Sequence, residues 1–279
     1  MQIIKVMIMD DDRDMQNIKN HWDRDGLAQA IRHALIAAGK PLASLTIDDL
    51  APLDQFHRGG KGFTTRLAHL AGLKPGMKIL DVGGGLGGPA RTLAVEFGCH
   101  VTVIDIAESY ILAGKMLTDL MSLHDLVTHQ AGSALDLPFE DQSFDVIWTQ
   151  NSGMNIMDKE KLYSEIYRVL RPNGLLVTQE PVAGSNQPII FPVMWSRDGS
   201  GNFLRSPKEL RDLIEATGFQ TIQWDDVTQE KSSAPGTTST NTIQNLVMGN
   251  ELLAEIRKAD KRNDEEKRIG MIQAVFKRT

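Results

Sequence analysis

Short apolar runs alternate along this chain with stretches whose apolar residues recur at i, i+3, i+4 and i+7, the marks of strands and amphipathic helices in turn. The clearest pair is Met77 to Val82, an apolar run carrying the acid Asp81, followed by glycines from Gly83 to Gly88 and a helix marked by Ala90, Leu93, Ala94 and Phe97. Upstream, Leu27, Ile31, Ala34, Leu35 and Ala38 predict a helix stopped at Gly39-Lys40-Pro41. Thr46 and Asp49 are spaced as a capping box, and Phe63, Leu67, Leu70 and Ala71 predict a further helix. Downstream, strands are expected at His100 to Asp105, Leu126 to Ala131, Ser143 to Asn151, Leu175 to Gln179, Phe219 to Val227 and Ile269 to Phe276. Helices are expected over Glu108 to Leu120, around Leu162, Ile166, Val169 and Leu170, around Leu210, Leu213 and Ile214, and from Ile243 to Lys258. Arg171-Pro172-Asn173-Gly174 reads as a turn between helix and strand.

Seven strands with interleaved helices predict a single α/β domain, and 279 residues at 41% hydrophobic content can bury its core. Two stretches lack a regular period. Pro181 to Phe203 holds Phe191, Pro192, Met194 and Trp195 and is expected to form an ordered lid, whereas Glu230 to Asn241 reads as a flexible surface connection. The opening Met1 to Met9 is far shorter than a membrane span, lacks a cleavage-site pattern and precedes Asp10 to Asp12, so it reads either as a short strand or extension that packs on a partner surface or as plain disorder. No membrane span is expected.

Net charge is −6 with the charges mixed, which gives no basic stripe and argues against a nucleic-acid partner. Cys99 is the sole cysteine, so no intrachain disulfide forms and a reducing, cytoplasmic setting is expected. A homodimer is neither required nor excluded.

The glycine run carries the chemistry. Glycine lets the backbone approach a ligand closely, and a helix start presents unpaired amide donors, so a nucleotide-like ligand is expected there. Gly83, Gly85 and Gly88 also satisfy the dinucleotide spacing, with Asp105 as a ribose partner. Asp81 favours the other class of ligand, because a carboxylate beside the loop suits a cationic amino acid and repels a pyrophosphate. S-adenosylmethionine has that cation and no phosphate.

On these residues the chain resembles the class I S-adenosylmethionine-dependent methyltransferases. Asp81, Gly83, Gly84, Gly85, Gly87 and Asp105 match the family's strand-end acid, glycine loop and ribose acid. The resemblance covers roughly Leu50 to Val227. The wording of Asp54 to Gly60, Ile79 to Ala90 and Trp148 to Ile156 is most similar to the branch with sterol, ubiquinone-pathway and sarcosine or dimethylglycine methyltransferases. It implies a Rossmann-like seven-stranded sheet, mostly parallel with an antiparallel last strand, and an N-terminal helical lid. It divides the chain into an extension and lid over 1–60 and a methyltransferase domain over 61–279 with an acceptor-side insertion at about 181–205. It further implies Ile106, Ser133, Ala134 and Gln150 beside the donor. Ser133 stands where relatives commonly carry an acid, and its hydroxyl can still accept from the adenine amine.

On the acceptor side, Phe56, Glu180 and Trp195 are the expected substrate contacts. His57 and Asn155 are the expected catalytic positions, His57 because a histidine in an aromatic and glycine loop is site-like. No ionisable base follows the fourth strand, where Ser152 to Met157 stands, and Asn155 can orient a substrate without taking its proton. The implied reaction is in-line transfer of a methyl group to N, O or C of a small-molecule acceptor, leaving S-adenosylhomocysteine, with no metal. Two alternatives stay open: an NAD(P)-dependent oxidoreductase using the same glycine spacing, and a silent adenosyl-binding member of the fold.

Overall fold

The computed structural model describes residues 19, 21–230, 245 and 248–279. The expected extension over residues 1–13, the connection over 231–241 and the start of the last helix lie outside the described residues. The helices before the sheet are α1 (Leu27–Ala37), α2 (Ile47–Asp54) and α3 (Gly60–Leu70). The sheet region then runs β1 (Lys78–Val82), α4 (Gly88–Phe97), β2 (His100–Asp105), α5 (Glu108–Leu120), β3 (Val127–Ala131), β4 (Phe144–Gln150), α6 (Lys159–Val169) and β5 (Leu170–Ala183). It closes with α7 (Pro207–Ala216), β6 (Phe219–Asp226), α8 (Asn250–Glu265) and β7 (Ile269–Arg278).

The strands form one sheet in the order β3-β2-β1-β4-β5-β7-β6, parallel from β3 to β5, with β7 antiparallel to both neighbours. Alternation along each strand sends successive side chains to opposite faces, which is how one strand serves two cores. Leu80, Ile147, Leu176 and Phe276 meet α6 and α7 through Leu162, Ile166, Leu210 and Ile214 on one face. Ile79, Val101, Val146 and Val177 meet Leu67 of α3 and Ala90 and Leu93 of α4 on the other. Local capping agrees with the sequence. Thr46 and Asp49 close a reciprocal capping box on α2, Ser206 and Glu209 do the same on α7, and Pro89 sits at the first turn of α4.

Three boundaries differ from the sequence reading. The Arg171 to Gly174 turn lies inside β5 as an irregularity, since β4 pairs Phe144 with Leu170 and then Val146 with Leu175. Asn173, not Gly174, takes the left-handed conformation there (φ 65°), and Gly174 is required for space, since a side chain on it would strike Leu170. β5 also continues past Gln179 to Ala183, held by pairing with β7 as far as Ala183 to Ile269. Lastly, α8 extends beyond Lys258 to Glu265, because Leu253, Ile256, Ala259 and Asn263 keep one buried face through its charged end.

The N-terminal helices lie over the carboxyl ends of β1 and β2: Leu27, Ile31 and Leu35 of α1 pack with Leu50, Leu86, Tyr110 and Leu117. The excursion after β5 is ordered. Ile189, Val193 and Trp195 pack with Met154 and Ile269, and Asn263 of α8 pins Ile190 by accepting from its N–H (2.9 Å) and donating to its carbonyl (2.8 Å).

Candidate functional site

A cavity of about 490 Å³ opens beyond the carboxyl ends of the parallel strands, where ligands of open α/β sheets bind. Its floor is the loop between β1 and α4. Gly83 and Gly84 donate to the Ile104 carbonyl (2.8 and 3.3 Å), and Gly85 donates to Asp105 Oδ2 (2.9 Å). Asp105 Oδ1 accepts from Ala107 N–H (2.9 Å), so both oxygens brace the backbone while the carboxylate lines the cavity. Burial is the main cause raising the Asp105 pKa, and the backbone donors oppose it.

Asp81 is 1% exposed, and its Oδ2 has no hydrogen-bond partner. Burial first, and the charge of Asp105 second, push its carboxyl up to about 8. The loop has no space behind it: a Cβ on Gly84 would lie 2.6 Å from Asp81 Oδ2. Gly87, expected at the ligand, is instead the left-handed residue before α4 (φ 74°), where a Cβ would meet His129 at 2.7 Å, and it does not line the cavity.

Ile106, Ser133, Ala134 and Gln150 do line it. Ser133 Oγ already accepts from Leu135 N–H (3.1 Å), which fixes the turn after β3 and leaves its second lone pair for a ligand. Gln150 Oε1 accepts from Trp148 Nε1 (2.9 Å) and Thr64 Oγ1 (3.0 Å). Next to it, Asn151 turns the chain at φ 56° and leaves its buried Oδ1 unpartnered. Tyr110 was not expected here; it lines the cavity with its buried hydroxyl unpartnered too.

At the other end, Phe56, His57, Asn155 and Trp195 all line the cavity, but two of them are committed elsewhere. His57 Nε2 lies 2.8 Å from Gln55 Oε1, and Nδ1 faces the Gln150 amide nitrogen at 3.4 Å and the Arg58 carbonyl at 3.2 Å. Burial pushes its imidazole down to about 4, so it stays neutral. Asn155 donates to the carbonyls of Trp195 (3.1 Å) and Gly201 (2.7 Å), and its Oδ1 accepts from Trp22 Nε1 (3.3 Å). It fastens the excursion and is not free to orient a substrate. Trp195 is anchored in turn through Nε1 to Asn202 (2.8 Å).

Glu180 does not reach the cavity. It is 3% exposed, accepts from Gly153 N–H (3.0 Å) and lies near Lys159, whose Nζ donates to the Gly153 carbonyl (2.7 Å). Its carboxylate holds the loop after β4 from behind. The sequence reading missed the wall made by α8, where Leu253, Ile256, Arg257 and Asp260 face the cavity, and it missed Trp22. The apolar spacing of α8 signalled a packed helix and carried no sign of its neighbour. Among the described residues, no three metal-ligating side chains gather in a cluster, and no helix is long and apolar enough to cross a membrane.

A doubly wound sheet with an antiparallel seventh strand, a glycine loop after β1 and an acid closing β2 frame the cavity. Residues 80–178 match the methyltransferase domain family. Glycine/sarcosine/dimethylglycine N-methyltransferase of Actinopolyspora halophila is 34% identical over 170 residues, 59% of this chain and 29% of that protein. Sarcosine/dimethylglycine N-methyltransferase of Halorhodospira halochloris is 29% identical over 205 residues, 71% of each. This chain spans 29 to 35% of the first three curated relatives it matches. Among solved structures, geranyl diphosphate C-methyltransferase of Streptomyces coelicolor A3(2) superposes with a TM-score of 0.69 at 17% identity, covering 95% of this chain and 98% of that one. Phosphoethanolamine N-methyltransferase 2 of Haemonchus contortus, in complex with S-adenosyl-L-methionine, gives 0.64 at 21% identity over 84% and 57%. At these identities the structural likeness concerns the fold.

Proposed function

We propose that the chain transfers a methyl group from S-adenosylmethionine to N, O or C of a small organic acceptor by in-line displacement. The observation that carries this reading is the set of buried polar atoms left unpartnered on the cavity wall: Asp54 Oδ1, Asp81 Oδ2, Asn151 Oδ1 and Tyr110 Oη. Asn151 Oδ1 only accepts hydrogen bonds, the two carboxyl oxygens accept when ionised, and Asp105 beside them adds a third carboxyl. An α-ammonium and a ribose diol supply donors to such oxygens. A pyrophosphate supplies only acceptors and negative charge, so the oxidoreductase alternative fits this wall poorly.

When bound, S-adenosylmethionine supplies an activated methyl group on a sulfonium. The chain holds that donor with Asp105 toward the ribose, Asp81 toward the amino-acid end, and Ile106, Ser133 and Ala134 around the adenine. The segment before Gly60 and the excursion after β5 cover the acceptor end, exclude bulk water and hold the nucleophile in line. Such placement is worth roughly 7 kcal/mol or more in favourable cases. His57 is neutral with both ring nitrogens engaged, so it organises the wall and takes no proton. The walls suit a small molecule and not a nucleic acid. The chain's single cysteine, Cys99, is buried and free, which suits the reducing cytoplasmic setting we infer.

Thermal shift with S-adenosylhomocysteine and with NADH separates the readings. A ligand at about 100 times its Kd stabilises by roughly 2.7 kcal/mol. We expect that gain from S-adenosylhomocysteine alone. A gain from NADH alone would move the chain to the oxidoreductases, and donor binding with no methylated product from any acceptor would make it a silent member.

A further inference from the structure

We propose that the acceptor of this chain carries a basic nitrogen, received by the carboxylate of Asp260 on α8. The inference rests on the methyltransferase reading above and deepens it. Position supports it first. The donor-side residues sit after β1, β2 and β3, whereas Asp260 lies across β4, on the helix that packs against β7, whose Ile269 and Met271 also face the cavity. Asp260 therefore belongs to the acceptor end.

The surroundings of Asp260 argue the chemistry. The wall around it is mixed: Leu253 and Ile256 of its own helix and Met194 and Trp195 of the excursion line the cavity with Arg58, Arg257, Asn263 and Asp264. Three charged neighbours are in place, and none satisfies it. Arg58 donates twice to Asp264 (3.2 and 3.1 Å) and gives Asp260 a through-space attraction but no hydrogen bond, while Asp264 adds like charge to Asp260. Arg257, one turn earlier, is exposed. Among the described residues Asp260 has neither a hydrogen-bond nor an ion-pair partner within reach. A half-buried carboxylate on a cavity wall with no protein partner is placed to receive a cation or N–H donor from the ligand. A hydrocarbon or anionic acceptor would leave it uncompensated. Trp22 and Phe56 also line the cavity, and aromatic rings attract cations.

The test uses the full chain saturated with S-adenosylhomocysteine and two matched probes, 4-phenylbutylamine and 4-phenylbutan-1-ol, titrated by calorimetry at pH 8. We expect the amine to bind about tenfold or more tightly than the alcohol, the difference one charge-assisted hydrogen bond makes. Asp260→Asn should bring the two probes to within about twofold while leaving S-adenosylhomocysteine affinity unchanged. Glu255→Gln, on the exposed side of the same helix, should keep the preference. In the unsubstituted protein the preference should also fall between pH 7 and pH 5, as the Asp260 carboxyl, pushed up to about 6 by burial and by Asp264, takes a proton. This second readout holds even if the variant folds poorly. Equal affinity for the two probes, including no binding of either, overturns the assignment, as does a preference that survives both Asp260→Asn and pH 5. Failure of S-adenosylhomocysteine to bind the unsubstituted chain overturns the methyltransferase reading, and the acceptor assignment falls with it.

Discussion

The indole of Trp22 donates to the side-chain carbonyl of Asn155 at 3.3 Å, across 133 positions of sequence. The same amide donates to the carbonyls of Trp195 and Gly201. One side chain on the loop after β4 thus ties the N-terminal segment and the excursion after β5 to the strand end from which the donor site is built. The cover of the cavity and its floor are joined there.

Asn155→Ala should therefore loosen the cover and spare the floor. Two carbonyls and one indole N–H lose their partner, a cost of about 1 to 3 kcal/mol if they stay buried. Amide exchange over residues 189–203 should quicken, and the acceptor's apparent KM should rise. S-adenosylhomocysteine affinity, read by calorimetry, should hold within about twofold. Unchanged exchange would show that the excursion stands without this amide.

Asp105→Ala should weaken S-adenosylhomocysteine binding by tenfold or more, since charge-assisted hydrogen bonds contribute roughly 1.5 to 3 kcal/mol. Because Asp105 also accepts from Gly85 and Ala107, the loop itself loses its brace. Asp105→Asn keeps one carbonyl acceptor and should fall between. Equal affinity in all three proteins would remove Asp105 from the ribose.

The glycine loop makes a graded prediction. A methyl group at Gly84 would lie 2.6 Å from Asp81 and 2.9 Å from Val103, with no room to move, so Gly84→Ala should cost about 1 to 3 kcal/mol in denaturant unfolding. At Gly85 the same methyl group meets only Tyr110, at 3.5 Å, and the cost is mostly that of φ +55°, about 1 to 2 kcal/mol. Gly85→Ala should thus fold better and still lose donor affinity, because its methyl group enters the cavity. At Gly83 the obstacle is Ser152, a protein contact and not the ligand.

What was legible in the sequence was local. The bounds of β2 and α5, the Thr46 and Asp49 capping box and the strand-loop-helix unit at Gly83 to Gly88 follow from neighbouring residues, and the structure keeps them. What was not legible depends on which face a residue takes. Gln179 and Glu180 are adjacent on β5, so they point to opposite sides. Gln179 joins the amides under His57, and Glu180 goes to Gly153 behind the loop, outside the lining of the cavity. One step of register decided that. Similarly, Asn155 was recognisable as lining the site, but its three bonds come from residues that only folding brings near. The wall from α8 lay beyond the span of the family resemblance.

His57 offers a test of whether the chain uses a base here. With its imidazole pushed down to about 4, no ionisation of His57 should shape turnover between pH 6 and 8. His57→Ala should leave the form of that profile unchanged while lowering stability by about 1 to 3 kcal/mol, because the amides of Gln150 and Gln179 lose a buried partner. A limb lost from the profile only in the variant would restore His57 as a base.

Asp81 links pH to both stability and ligand binding, and the sign follows from its raised pKa. Its carboxyl ordinarily titrates near 3.8 and is pushed to about 8 in the folded chain. Between those values the folded state holds a proton that the unfolded state has released. The contribution of Asp81 to stability is therefore full below about pH 4 and is lost as pH rises toward 8. Other carboxylates shift in both directions, Asp105 up and Glu165 down, so the comparison that isolates Asp81 is with Asp81→Asn, whose melting temperature should fall less than the parent's between pH 5 and pH 8. An α-ammonium beside the carboxylate favours its ionised form, so S-adenosylhomocysteine should expel the proton on binding. At pH 7 the binding enthalpy should then vary with the ionisation enthalpy of the buffer, showing release of a fraction of a proton, and Asp81→Asn should abolish that release. A buffer-independent enthalpy in the parent protein would place the ammonium away from Asp81.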